Sequence, residues 1–124
     1  MIVPGFTFLS PTPSSPVEHL YIVLSPIIDG KVLLVNVTTP KYNSDLSCVL
    51  KESEHPFLTH DSIINYADAT DTDVDKIKQA ITMNVFKPHA SLSEDLLQRV
   101  QKGALASTAL KPRFRKYIPP PKPD

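Results

Sequence analysis

Cysteine and glycine are both scarce in this chain. Cys48 is the single cysteine among 124 residues, so an internal disulfide is excluded and a reducing compartment is the expected setting. The three glycines, Gly5, Gly30 and Gly103, stand far apart, and no glycine-rich loop can cradle a nucleotide phosphate. No paired-carboxylate motif or nucleophile elbow occurs, which sets aside hydrolase-fold chemistry. No apolar run approaches the roughly 20 residues of a membrane span, and the N-terminus lacks a basic region followed by an apolar stretch. The expectation is a cytoplasmic protein that is not exported. Net charge is also missing: 13 acidic residues balance 13 basic ones, so the average charge names no partner.

What is present is an ordinary globular composition, 41% hydrophobic and 21% charged, in a length that suits one domain with one modest core. Charge is unevenly placed. Between Asn43 and Asp75, Lys51 is the only base among Asp45, Glu52, Glu54, Asp61, Asp68, Asp71, Asp73 and Asp75. Near the C-terminus Lys111, Arg113, Arg115 and Lys116 surround Phe114 and Tyr117. Bases interleaved with aromatics suit phosphate contact plus base stacking. A second reading is an edge strand protected by charge, with Phe114 inward.

Strands are expected at 3–9, 20–25, 32–37, 47–50, 62–67 and 83–86, with a further candidate at 113–118. They are short, rich in Val, Ile, Tyr and Phe, and separated by turn residues, the pattern of a small barrel or sandwich. Pro11, Pro13 and Pro16 predict a loop over 10–18. Ser91-Leu-Ser-Glu94 reads as a capping box ahead of Leu92, Leu96, Val100 and Ala104, a stripe spaced four apart that should close the barrel. Gly103 is expected to weaken or end that helix. A shorter helix is expected over about 72–81. Residues 1–118 form the domain, and the proline-rich 119–124 a flexible tail.

The densest signal is His19 to Thr39. Two apolar runs flank a short Asp29-Gly30 turn, the arrangement of a hairpin. In an antiparallel hairpin the start of one strand lies beside the end of the other, which brings His19 to Thr38 and Thr39. A proton-transfer group beside two hydroxyls is a candidate site, although strand ends are often polar for no further reason. A second block holds His55, His60, Ser62 and Tyr66 around the Pro56-Phe57 turn. Alternation places Ser62, Ile64 and Tyr66 on one strand face, with His60 leading into it. His55 or His60 could join His19 as an acid–base pair, with Tyr66 on the phosphate. A metal reading from Cys48, His55, His60 and His19 meets no standard zinc spacing, so no metal or cofactor is assigned. Cys48 can equally be a small buried hydrophobe, and the histidines can serve loop backbone. His89 is expected to be exposed.

The leading Pro4-Gly5 strand, the proline-broken loop, Val23-Leu24-Ser25 closing one run and Thr38-Thr39 closing the next resemble the N-terminal half of the MazF/PemK toxins. Ser91-Leu-Ser-Glu-Asp-Leu-Leu resembles that family's late helix, and the similarity spans about residues 2–107. It implies a mainly β, SH3-like small antiparallel barrel with a C-terminal packing helix. It further implies a metal-independent endoribonuclease of a toxin–antitoxin or defence system. Registered on Val23-Leu24-Ser25, His19 stands where the family has arginine, Leu20 where it has proline, and Thr38 and Thr39 at its hydroxyl pair. Histidine lacks a permanent cation but exchanges protons near neutral pH. On this reading the catalytic set is His19, Thr38, Thr39 and His60 with His55 in reserve. Ser62, Tyr66, Lys111, Arg113, Arg115 and Lys116 bind substrate. The alternative is a non-catalytic module that binds nucleic acid or a protein. The resemblance also implies RNA and an antitoxin as partners, and a two-fold homodimer that would gather the basic segments at one groove. Light scattering at micromolar concentration should then report a dimer, with RNA binding that weakens steeply as salt is raised.

Overall fold

A computed structural model describes residues 1–12 and 15–120, with no side-chain account of 12–16. Among these residues six strands form one antiparallel sheet: β1 (Thr7–Thr12), β2 (Ser15–Val23), β3 (Lys31–Thr38), β4 (Val49–Leu50), β5 (Ser62–Asp73) and β6 (Lys87–His89). The spatial order is β4-β5-β3-β2-β1-β6, a curled half-barrel with about 33% strand and 27% helix. Helix α1 (Val74–Thr82) follows β5 directly, and α2 (Glu94–Ala106) follows β6. The chain is mainly β, as expected, with the sheet open at β4 and β6.

Alternation along the strands divides the core in two. On one face Leu20 and Ile22 of β2, Leu33, Val35 and Val37 of β3, and Ile64 and Tyr66 of β5 pack against Leu92, Leu96, Leu97, Val100 and Ala104. Those last five carry the four-spaced stripe, so α2 lies where its periodicity directs it. On the other face Phe8, Val23, Val32 and Leu34 meet Val74 and Ile77 of α1. Strand β3 is therefore apolar on both sides, and every residue from Val32 to Val37 is buried.

The β2–β3 hairpin closes on Asp29 and Gly30 at φ 51° and 76°, bridged by Ile28 and Lys31. The β3–β5 ladder is less regular. Leu34 faces Thr70 but Asn36 faces Asn65, so β5 spends three more residues than β3 over this interval. An odd slip exchanges the faces of β5. That is why Ile64 and Tyr66 point toward α2 before it, and Ala69 after it.

Several local expectations are corrected. The loop over 10–18 is mostly ladder: β1 runs to Thr12 and β2 begins at Ser15, with Pro13 and Ser14 outside the described residues. Pro11 is tolerated because β6 pairs only with Thr7–Leu9, so no ladder partner is lost where its N–H is missing. The 83–86 segment is the turn leaving α1, with Asn84 at φ 60° and the Val85 and Phe86 amides both on the Ala80 carbonyl. The 113–118 candidate strand is a 3-10 helix, Pro112–Tyr117, which turns Phe114 and Tyr117 inward. Ile118 is buried with them, so the domain reaches at least that residue; Pro121 to Asp124 lie outside the described residues.

Ser93, not Ser91, caps α2, accepting from the Leu96 amide at 3.2 Å. The Leu92 amide is already committed to the Gly5 carbonyl, which delays the helix start. Gly103 neither ends α2 nor weakens it for lack of a better residue. A Cβ there would collide with the Tyr66 hydroxyl and stand 2.9 Å from Cys48 Cβ. Gly103→Ala should therefore lower stability by about 1–3 kcal/mol in chemical denaturation, despite alanine's better helix propensity. An unchanged midpoint would contradict this packing account.

Candidate functional site

The β2–β3 ladder pairs Tyr21–Asn36, Ile22–Val35 and Val23–Leu34, and stops there. Beyond Tyr21 the strands part: β2 continues against β1, while β3 continues against β5 through Thr38–Ile63. The gap holds the half-buried His19, whose Nδ1 donates toward the Val37 carbonyl at 3.4 Å. That bond substitutes for a missing rung and leaves Nε2 without a partner among the described residues.

The segment between the Glu52–Glu54 3-10 turn and β5 closes the gap into a cleft of about 320 Å³. His19, Thr38, Thr39, Phe57, Leu58, His60 and Ser62 line it, with Val17, Glu18, Val37 and Thr59. Hairpin residues and residues from the second block thus meet in one place. The His60 ring donates from Nδ1 to the Asp61 carbonyl at 2.9 Å, which fixes a neutral ring in the Nδ1–H form. Its Nε2 then accepts from the Thr39 hydroxyl at 3.4 Å. Ser62 is buried, and its hydroxyl donates to the His60 carbonyl at 3.2 Å, so it braces the His60 turn. The Asp61 carboxylate takes the Glu52 amide at 3.1 Å and Lys51 at 3.2 Å, which together hold its pKa below the usual carboxylate value. Glu18 reaches Lys87 at 3.4 Å. The cleft therefore offers two imidazoles, three threonines and an apolar wall from Phe57 and Leu58.

The remaining candidates lie elsewhere. His55 is buried, with Nε2–H donating to the Ala90 carbonyl at 2.7 Å and Nδ1 accepting the Phe57 amide at 3.1 Å. Both ring nitrogens are committed to backbone, and the ring ties the 52–60 segment to the β6–α2 connection. Tyr66 is buried under α2, where its hydroxyl donates to the Val100 carbonyl at 2.7 Å. Burial raises its pKa and that of Cys48 beside it. Neither His55 nor Tyr66 lines the cleft. His89 is half-buried, its ring 5.1 Å from that of His55. Cys48, His55, His60 and His19 do not converge, and among the described residues no group of three or more acidic, His or Cys side chains could hold a metal.

The basic segment is exposed on the 3-10 helix. Arg113 lies over the Phe114 ring at 4.8 Å, Lys116 is 5.5 Å from the Tyr117 ring, and Arg115 donates to the Leu105 carbonyl. None of Lys111, Arg113, Arg115 and Lys116 lines the cleft. The aromatics beside them face the core, so they are not stacking platforms. Phe57, Leu58 and Thr59 are cleft residues that the sequence reading passed over. Their position between His55 and His60, just before a strand, was the available signal.

No protein-family model matches this chain, and no curated protein matches it. No helix among the described residues is long and apolar enough to cross a membrane.

His55 makes a pH prediction. Burial holds its imidazole below histidine's ordinary value, outweighing the Ala90 bond that favours the charged form. The unfolded chain then binds a proton more readily than the folded one, and stability rises with pH across that interval. The contribution is complete above about 6.5 and is lost as pH falls through the folded pKa. Protonation would also leave Nδ1 unable to accept the Phe57 amide. Thermal unfolding should come earlier at pH 5.5 than at pH 7.5. His55→Gln should be less stable at pH 7.5 yet show a shallower decline; an equal decline would remove His55 as the cause.

Proposed function

We propose that this protein is a metal-independent endoribonuclease whose proton transfers run through His19 and His60. The observation that carries the reading is their presence in one cleft with Thr38 and Thr39, His60 Nε2 facing the Thr39 hydroxyl at 3.4 Å. The resemblance of the two runs to MazF/PemK toxins supports the same residues, with histidine in the arginine position.

Chain cleavage without a metal needs one base, one acid and a phosphate anchor. In the neutral ring, His60 Nε2 carries the lone pair and suits the base, taking the proton of the RNA 2′-hydroxyl. The 2′-oxygen attacks phosphorus, the P–O5′ bond breaks, and protonated His19 gives its proton to the departing 5′-oxygen. The products are a 2′,3′-cyclic phosphate and a 5′-hydroxyl, and the two histidines exchange protonation states through water. Thr38 donates to a non-bridging oxygen, and Thr39 does so once the 2′-hydroxyl has displaced it from His60 Nε2. The reading extends to an antitoxin partner and a two-fold dimer as further proposals.

One observation favours a second reading, a non-catalytic binding module. No Lys or Arg lines the cleft among the described residues, so no permanent cation meets the pentavalent phosphate. Cleavage of a mixed-sequence RNA in EDTA decides between the two. The ribonuclease reading expects cyclic-phosphate ends and a bell-shaped pH–rate profile. His19→Ala and His60→Ala should each lower the rate by about 10²–10⁴-fold while thermal unfolding stays cooperative. RNA left intact by the native protein, or variants as active as the native chain, would overturn it.

A further inference from the structure

A second groove, of about 550 Å³, lies on the α1 side of the sheet, where the nine residues of α1 leave it uncovered. Its floor is Asn36. This residue is 4% exposed, yet its carboxamide makes no hydrogen bond to a described residue. Among the described residues no polar side-chain atom is sealed without a partner, so the amide opens onto the groove it lines.

The walls have matching chemistry. Tyr21, the cross-strand partner of Asn36, stacks on Phe8 at 5.4 Å and 3°, and Phe8 stacks on Phe86 at 4.4 Å. Phe8 is fully buried, while Tyr21 and Phe86 are partly exposed at the groove. Thr70 and Asp68, carried there by the register slip in β5, form the opposite rim. The volume falls in the range of small-ligand sites. A slot with an aromatic wall and a carboxamide floor takes a flat heteroaromatic ring presenting one donor and one acceptor along an edge.

We propose that this groove binds an adenine base. Adenine's N6 amino group would donate to Asn36 Oδ1, and its N7 would accept from Nδ2–H. Guanine offers two acceptors on that edge, O6 and N7, and leaves Oδ1 without a donor. The ring would lie against Tyr21 and Phe86, as bases lie on aromatic side chains elsewhere.

The position gives the groove a use. On β2, Tyr21 follows His19 by two residues; on β3, Thr38 follows Asn36 by two. Each pair shares a sheet face, about 7 Å apart. The groove is thus the next site along the sheet from the histidine cleft. An adenine held there would place the adjoining phosphate toward His19 and Thr38. This use rests on the ribonuclease reading; the binding of the base does not.

Binding is measured without cleavage, by calorimetry and by the Asn36 side-chain amide resonances. AMP should bind and shift those resonances. GMP and 7-deaza-AMP should bind at least tenfold more weakly. Asn36→Leu should abolish AMP binding while unfolding no earlier than the native chain, because the lost amide had no partner. Tetra-adenylate RNA bound a hundredfold tighter than AMP would identify a strand as the source of the base, and equal affinities a free nucleotide. No AMP binding at millimolar concentration, or equal binding by Asn36→Leu, would overturn the proposal. If the native chain cleaves RNA, Asn36→Leu should lose preference for adenine beside the cut. Unchanged preference would overturn the groove's role in cleavage and leave the ribonuclease reading standing. AMP binding without any cleavage would overturn that reading and leave the base site standing.

Discussion

Strand β3 must be apolar on both faces, and the remaining elements arrange themselves around that demand. Its odd-numbered residues serve the α2 core and its even-numbered ones the α1 core as far as Leu34. Burying six consecutive residues requires a neighbour on each edge and a cover on each side. The hairpin to β2 and the long return through β5 provide the edges, and the two helices the covers. Each fully buried Leu, Ile or Val contributes about 1.5–3 kcal/mol by leaving water, so the strand and its covers stabilise one another. At Asn36 the demand lapses. The even-numbered face turns polar where α1 has ended, and the ladder to β2 stops at the same residue. Core gives way to surface at one level of the sheet, and both candidate sites lie there.

Features written in local chemistry were legible in the sequence. Asp29-Gly30 announces its turn because few other pairs accept two positive φ angles, and the stripe on α2 announces its buried face. The second half of β5 was not legible. Asp68 to Asp71 read as loop and Thr72 and Asp73 as the start of a helix, and only pairing with β3 makes them strand. The segment from Lys111 to Tyr117 hid for another reason. With bases at most positions, inward residues two apart and three apart are hard to distinguish, and Pro112 at the first helical position was the overlooked clue.

The same division runs through the site. Hairpin geometry predicts the meeting of His19 with Thr38 and Thr39, and they do share a cleft, although the ladder ends at Tyr21–Asn36 and the strands part. His60 and Ser62 arrive beside them through the β3–β5 pairing, which the second block's position before a strand hinted at. His55 could not be told from His60, because what separates them is the Ala90 carbonyl, 35 residues from His55. Tyr66 sits on a face that alternation assigned correctly to the strand, but that face belongs to the core. Space for its ring under α2 depends on Gly103, which sequence reading took for a weak point in the helix. Asn36 was visible as one polar residue inside Val-Leu-Leu-Val-Asn-Val and was passed over.

The open sheet has an unequal distribution of adhesive surface. Its outer strands are β4, two residues long, and β6, three residues long with Pro88 at its centre. Short edges and a proline without an N–H leave those two strands little backbone for an incoming strand, although the β4 ladder covers only Ser62 and Ile63 of β5. Extension of the sheet by an incoming strand is disfavoured at β4 and β6 themselves. The faces and grooves, in contrast, present side chains whose shape and donor–acceptor pattern vary from place to place. An architecture that leaves its sheet unclosed has in this way kept its specificity in its side chains.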